Sequence, residues 1–245
     1  MAHNAVLNLA GQTVPLLVAL GSMPIVTRSL GAERFGLLGI AWLVLGYASV
    51  FDLGLGRATT RFVAEALGSG RPERVPRVVW TSVIVQCGFA LIGAAMMLTV
   101  TPLLVTRVLQ TPAHLALDSR ISLQILAIAL PAVMVSGSLR GTLEAIQRFD
   151  IVNAIRLPSS SANYLAPLIG VLLGWDLPAI MALLVAARWL SALAWGVAAL
   201  RCQPSLRSVS AIDRGELRRL ASFGGWVMAA NAAAPLLNYL DRFLI

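Results

Sequence analysis

Lysine is absent, and all 19 basic residues are arginine. We read this as a bias toward GC-rich codons rather than as chemistry. Cysteine and histidine are almost absent too. Cys87 lies in an apolar run and Cys202 just beyond another, and two such residues imply no disulfide framework. His3 and His114 are too far apart to suggest a site, and no metal-ligand spacing exists, so no metal or cofactor is expected. The 11 acids form no Asp-x-Asp motif and stand beside no histidine pair. This argues against a membrane glycosyltransferase, which needs a carboxylate cluster or metal-binding acids at the membrane face. Charged residues make up 12% of the chain, against roughly 25% in soluble domains. A formal charge of +8 does not point to nucleic acid, because the arginines sit between apolar segments rather than on one face.

What the chain has is apolar length. Hydrophobic residues make up 58% of it, and the mean hydropathy is +0.81. The runs suit helices rather than barrel strands. The expected fold is all-α: a polytopic helical membrane protein, with a six-helix bundle over 1–222 and the first helix of a second bundle over 223–245. The expected spans are Ala5–Thr27, Phe35–Leu55, Val78–Val100, Ile121–Leu143, Ile151–Trp175, Leu177–Leu200 and Phe223–Ile245. Met1 to Asn8 has no basic n-region, so the first run reads as a membrane helix and not as a cleaved signal. Pro15 and Pro131 should kink the first and fourth helices. Gln86 is the main polar residue expected inside the third.

Orientation follows from counting arginines. Counted with the adjoining span ends, which add Arg140 and Arg156, links after the even helices hold thirteen, and links after the odd ones hold Arg28, Arg34, Arg107 and Arg120. The basic excess marks the cytoplasmic side, so the N-terminus is expected inside. Arg57, Arg61, Arg71 and Arg74 read as topology signals and contacts to anionic membrane lipid.

One residue interrupts the sixth run. Arg188 lies near the middle of Leu177–Leu200, where a guanidinium costs about 2.5–3.5 kcal/mol. It should therefore face a bundle interior or a wet cavity, with Ser191 and Trp195 on the same face. The other reading is an arginine paired to a neighbouring helix for assembly alone. Polar stripes at steps of three and four mark two more helices. In the first the stripe is Asn4, Asn8, Gly11, Gln12, Pro15, Ala19 and Ser22, and it suits cavity lining or small-residue packing equally. In the fifth it is Asn153, Arg156, Ser160, Asn163, Pro167, Gly170 and Gly174, with Tyr164 beside it. Gly39, Trp42, Gly46 and Ser49 share a face of the second helix that suits close packing.

Some charges are candidates for gating or coupling. Arg140, Glu144 and Arg148 fall at i, i+4 and i+8, so a carboxylate should sit between two guanidiniums. Asp52 and Asp241 are the other candidate acids, and static charges beside headgroups are the competing reading. The segment DRGELRRLASF, starting near Asp213, reads as a surface helix. A shift of 220 residues places Pro235 on Pro15, with stripe Asn231, Pro235, Asn238 and Arg242 in phase with the first helix. Internal repeats of this size mark transporters.

The stretches LGAERFGLLGI, FDLGLGRATTRFVAE, LRGTLEAIQRFDIVN and NYLDRFLI resemble the oligosaccharide flippases, polysaccharide exporters of the superfamily that includes the multidrug-and-toxin extruders. The resemblance implies about twelve helices in two bundles around a cavity lined by the first and seventh. It implies carriage of a polyprenyl-pyrophosphate-linked oligosaccharide across a bacterial inner membrane by alternating access. Cation coupling and glycan polymerisation machinery as a partner are implied with it. On that reading Arg188 holds phosphate, while Asn8, Gln12, Asn163, Tyr164 and Arg156 meet sugar or phosphate. A drug exporter of the same fold and an inactive truncated product are the alternatives.

Overall fold

The computed structural model describes the backbone of residues 2–50, 54–109, 111–209 and 212–243. Side chains are described for 13–46, 54–107, 109, 111–209, 212–227 and 229–230. Among these residues the chain is helical and has no strand. The elements are α1 (Ala2–Val50), α2 (Leu55–Gly68), α3 (Arg74–Leu103), α4 (Ala113–Ala127), α5 (Ala129–Ala145), α6 (Phe149–Leu172), α7 (Leu177–Cys202) and α8 (Arg214–Phe243). Among the described residues, four stretches are long and apolar enough to cross a bilayer: Thr13–Gly46, Arg74–Arg107, Ala113–Ala145 and Leu177–Cys202. The chain is an all-α, multi-pass membrane protein.

As one straight rod, the 49 residues of α1 would reach about 73 Å, more than twice a ~30 Å hydrocarbon core. They are two helices that meet at Gly31, with φ 75° and ψ 167°, a conformation an L side chain rarely adopts. The link expected over Arg28–Arg34 thus shrinks to one residue. The expected loop Thr101–Arg120 also shrinks. α3 continues through Pro102 into a π turn, Leu104–Val108, and α4 begins at Ala113. His114 and Asp118 therefore sit on a helix, where they meet Glu33 (3.6 Å) and Arg34 (3.9 Å) beside the α1 kink.

Pro131 acts as expected. It has no N–H for the Ala127 carbonyl, and its ring crowds that oxygen. The helix breaks at Ile128, whose carbonyl accepts from the Trp189 indole of α7 at 3.2 Å.

α2 buries Leu55, Thr59, Phe62, Val63 and Ala66 on one stripe and leaves Arg57, Arg61 and Glu65 outside. Three hydroxyls pin it to its neighbours. Thr59 contacts Ser82 of α3 (2.9 Å) and Ser138 of α5 (3.2 Å), and those two lie 2.6 Å apart. In an apolar interior such partners satisfy groups that would otherwise cost free energy. Gln86, one turn beyond Ser82, is fully buried. α5 comes so close to α2 that a Cβ on Gly141 would lie 2.5 Å from the Gly56 carbonyl oxygen and 2.8 Å from Thr60 Oγ1. Gly141→Ala must push two backbones apart, and we expect a loss of about 1–3 kcal/mol. A thermal unfolding curve in detergent that does not move would show that the contact yields freely.

α8 runs without a break across Ser222 and Phe223, so the expected surface helix and seventh run are one element. Asp213 caps it, with Oδ1 accepting from the amides of Gly215 (2.8 Å) and Glu216 (3.0 Å). The Glu216 amide, then that of Gly215, holds the Asp213 carboxyl below the ordinary aspartate value, with Arg77 and Arg74 adding to the effect. A lowered folded pKa means the cap's contribution is complete above the ordinary aspartate value and is lost as pH falls from there through the lowered folded value. Hydrogen exchange at Gly215 and Glu216 should rise below about pH 4 relative to Asp213→Asn, whose amide caps without titrating. Equal pH dependence in the two proteins would contradict this assignment.

Candidate functional site

α1, α5, α6 and α7 enclose a chamber of about 400 Å³. The apolar core that places it joins Leu38, Leu45, Ala166, Leu184 and Val185 from α1, α6 and α7. The α6 stripe faces inward as its spacing requires: Arg156, Ser160 and Asn163 line the chamber. Arg188, Ser191 and Trp195 of α7 and Arg140 of α5 line it as well.

The guanidinium of Arg188 donates to the Asn163 side-chain oxygen, and its buried Nε has no partner among the described residues. The Asn163 backbone carbonyl accepts from the indole of Trp42 on α1 at 3.2 Å. Trp42 in turn leans on Tyr164, with ring centroids 5.7 Å apart, and on the edge of Phe35 at 6.1 Å. One residue of α6 therefore fixes both the buried cation and the aromatic wall. Ser136, Ser159 and Ser191 donate their protons to carbonyls one turn back. Their oxygen lone pairs are left to accept from a ligand.

Three arginines share this space at graded depth. By helical rise, Arg140 lies about 8 Å from the end of α5, Arg156 about 11 Å from the start of α6 and Arg188 about 21 Å from the end of α7. Those three helix ends lie on one side, because α5 and α6 join there and α7 returns to it. The result is a cationic ladder whose rungs stand at increasing distance from that face. In a site with little water, guanidiniums hold phosphate well through paired donors.

The remaining candidates divide. Arg140 pairs with Glu144 at 3.3 Å, one turn apart. The expected stack with Arg148 does not form. α5 ends at Ala145 and Gln147 turns at φ 59°, so Arg148 leaves the helix axis and pairs with Asp150 at 3.0 Å. Arg74 is not a lipid contact: it is largely buried and bonded to Glu216 (2.6 and 2.9 Å). Asn153, on the expected stripe, is buried and does not line the chamber. Asn8, Gln12, Asp52 and Asp241, and the repeat around Pro235, lie outside the described side chains. Trp42, like Gly46, is a site residue that sequence reasoning assigned only to packing. The available signal was its indole N–H, which needs an acceptor in an apolar helix.

Comparison with known proteins places this geometry. The polysaccharide biosynthesis protein family model matches residues 1–245. A Shigella flexneri protein named "Putative O-antigen transporter" is 31% identical over 244 residues, which is 99% of this chain and 57% of that protein. The chain thus spans little more than half the length of the curated relative it matches. Three solved transporters share the fold. An outward-facing multidrug resistance MATE family transporter superposes with a TM-score of 0.72 at 17% identity, over 96% of this chain and 52% of its own. A MATE transporter bound to Br-NRF gives 0.70 at 15%, over 98% and 55%. A MOP superfamily transporter from Pyrococcus furiosus, described as having a binding pocket of reversed polarity, gives 0.64 at 14%, over 94% and 53%. At such identities these structures speak for the fold, while the sequence match assigns the family: the chain belongs to the polysaccharide biosynthesis proteins.

Proposed function

We propose that the chain forms one lobe of a flippase that moves a polyprenyl-pyrophosphate-linked oligosaccharide across the bacterial inner membrane for surface polysaccharide synthesis. The observation that carries this reading is the chamber with Arg140, Arg156 and Arg188 at graded depth beside Trp42 and Tyr164. A pyrophosphate needs fixed cations once it leaves water. Sugar rings need flat apolar faces and hydroxyl acceptors, which Trp42, Tyr164 and the serines supply. The prenyl tail needs no pocket, since it stays in the bilayer.

The arginine count supports a cytoplasmic position for the ladder's shallow end, the Arg140 end, with the N-terminus inside. The headgroup enters past Arg140 and Arg156 and reaches Arg188 near the midplane. Release to the other face follows when the two lobes rock about that point, the alternating-access scheme of such folds. The Arg140–Glu144 pair sits at the entrance, where its opening gates entry. An exporter of cationic drugs is the second reading on fold grounds, and the basic chamber opposes it.

Deleting the gene that carries this chain should abolish surface glycan and trap lipid-linked glycan on the cytoplasmic leaflet, and reintroducing it should restore both. Surface glycan that persists in the deletion strain, read by lectin labelling, would refute the assignment.

A further inference from the structure

A second cationic site lies outside the chamber, where α2 meets the first turns of α8. Arg61 on α2 and Arg218 and Arg219 on α8 rim a groove of about 400 Å³. Its wall is an aromatic pair, Phe62 and Phe223, edge to face at 5.9 Å. The guanidinium of Arg61 lies 4.5 Å from the Phe223 ring centre, and that of Arg219 lies 5.2 Å from Phe62. Stacking fixes these cations without using up their N–H donors on the rings. Glu65 accepts from Arg219 at 2.9 Å, which leaves the rim with an excess of about two positive charges by its side-chain types.

The groove has a direction. Arg218, Ser222 and Trp226 follow one another at four-residue steps along α8, so they form one stripe about 12 Å long. Arginines occupy its outer end, near the start of the helix. Trp226 occupies the inner end and is 78% exposed. Cations outward and an exposed indole further in match the order of phosphate, glycerol and acyl chain in a bilayer leaflet. A soluble phosphate would use the arginines but would gain nothing from Trp226.

We propose that this groove binds an anionic phospholipid, with its phosphate on Arg61, Arg218 and Arg219 and its glycerol and first acyl carbons on Trp226. The bound lipid bridges α2 and α8 and so braces the helix that leads out of the bundle. The site is separate from the arginine chamber and stands whether or not the chamber carries a glycan lipid.

Native mass spectrometry of the detergent-purified protein, offered equal phosphatidylglycerol and phosphatidylcholine, tests it. Phosphatidylglycerol should be retained preferentially. The Arg61→Gln/Arg218→Gln variant should lower that retention about 25-fold, at about fivefold per arginine. Arg201→Gln, an exposed arginine at the end of α7, should leave it unchanged. Equal retention of the two lipids, equal loss in the Arg201 variant, or release of phosphatidylglycerol by equimolar inorganic pyrophosphate would overturn the proposal. If the double variant misfolds, a photoactivatable phosphatidylglycerol on the wild-type protein decides. Labelling within 218–226 supports the site, and labelling only elsewhere removes it.

Discussion

Changing Arg188 to alanine should cut glycan delivery to the cell surface by about 10- to 100-fold while the protein still inserts. The estimate is that of one lost hydrogen bond to a charged group, about 1.5–3 kcal/mol. Insertion should not suffer, because a guanidinium at mid-helix is itself a cost of about 2.5–3.5 kcal/mol that the variant no longer carries. Loss of export with normal membrane levels would therefore report on the chamber and not on assembly. Arg188→Lys should fall in between. It keeps the charge but loses the fork that lets one nitrogen hold Asn163 while others reach a phosphate. Asn163→Leu should also weaken export, since the arginine then has no fixed orientation. Quantified surface glycan against an immunoblot of the membrane fraction is the measurement. Full export from the alanine variant would mean that the buried cation serves assembly alone.

The all-α membrane character and the chamber lining were legible for the same reason: bilayer solvation penalises exposed polar groups so strongly that periodicity exposes the inner face. The stripe Arg156, Ser160, Asn163 and the face Arg188, Ser191, Trp195 converge in the chamber as their spacing implies. The Pro131 break follows from one missing N–H. Helix ends were less legible. Hydropathy places a boundary where the apolar run stops, but α3 runs on past it to Leu103 and α4 begins before it at Ala113. Pro112, extended at ψ 145° just before α4, is a start signal that hydropathy overlooks. The Arg140–Glu144–Arg148 stack failed because Gln147 takes a positive φ with no glycine to announce it. Long-range pairs such as Arg74 with Glu216, 142 residues apart, have no local signature at all.

That pair should be the most sensitive electrostatic element of the fold. Arg74 meets Glu216 through two nitrogens at 2.6 and 2.9 Å, and their side chains are 17% and 8% exposed. Glu65 lies 3.8 Å from Arg74 and also receives Arg219, so four charges join α2, α3 and α8. Removing Arg74 leaves the Glu216 carboxylate buried, with Oε2 already lacking a partner among the described residues. Breaking a buried pair from one side costs about 3–5 kcal/mol, and the partial exposure of Arg74 places Arg74→Ala near the lower end. Glu216→Ala should cost less, because Arg74 keeps Glu65 and some solvent. The double change Arg74→Met/Glu216→Leu should recover most of the loss, since an apolar pair has no desolvation to offset. Chemical unfolding of the three variants in detergent resolves that order. If Arg74→Ala cost under about 1 kcal/mol, the cluster would behave as exposed ion pairs do and would not anchor α8. The predicted asymmetry between the two single changes comes from which charge is left in the dark, and it fails if solvent reaches Glu216 as freely as it reaches Arg74.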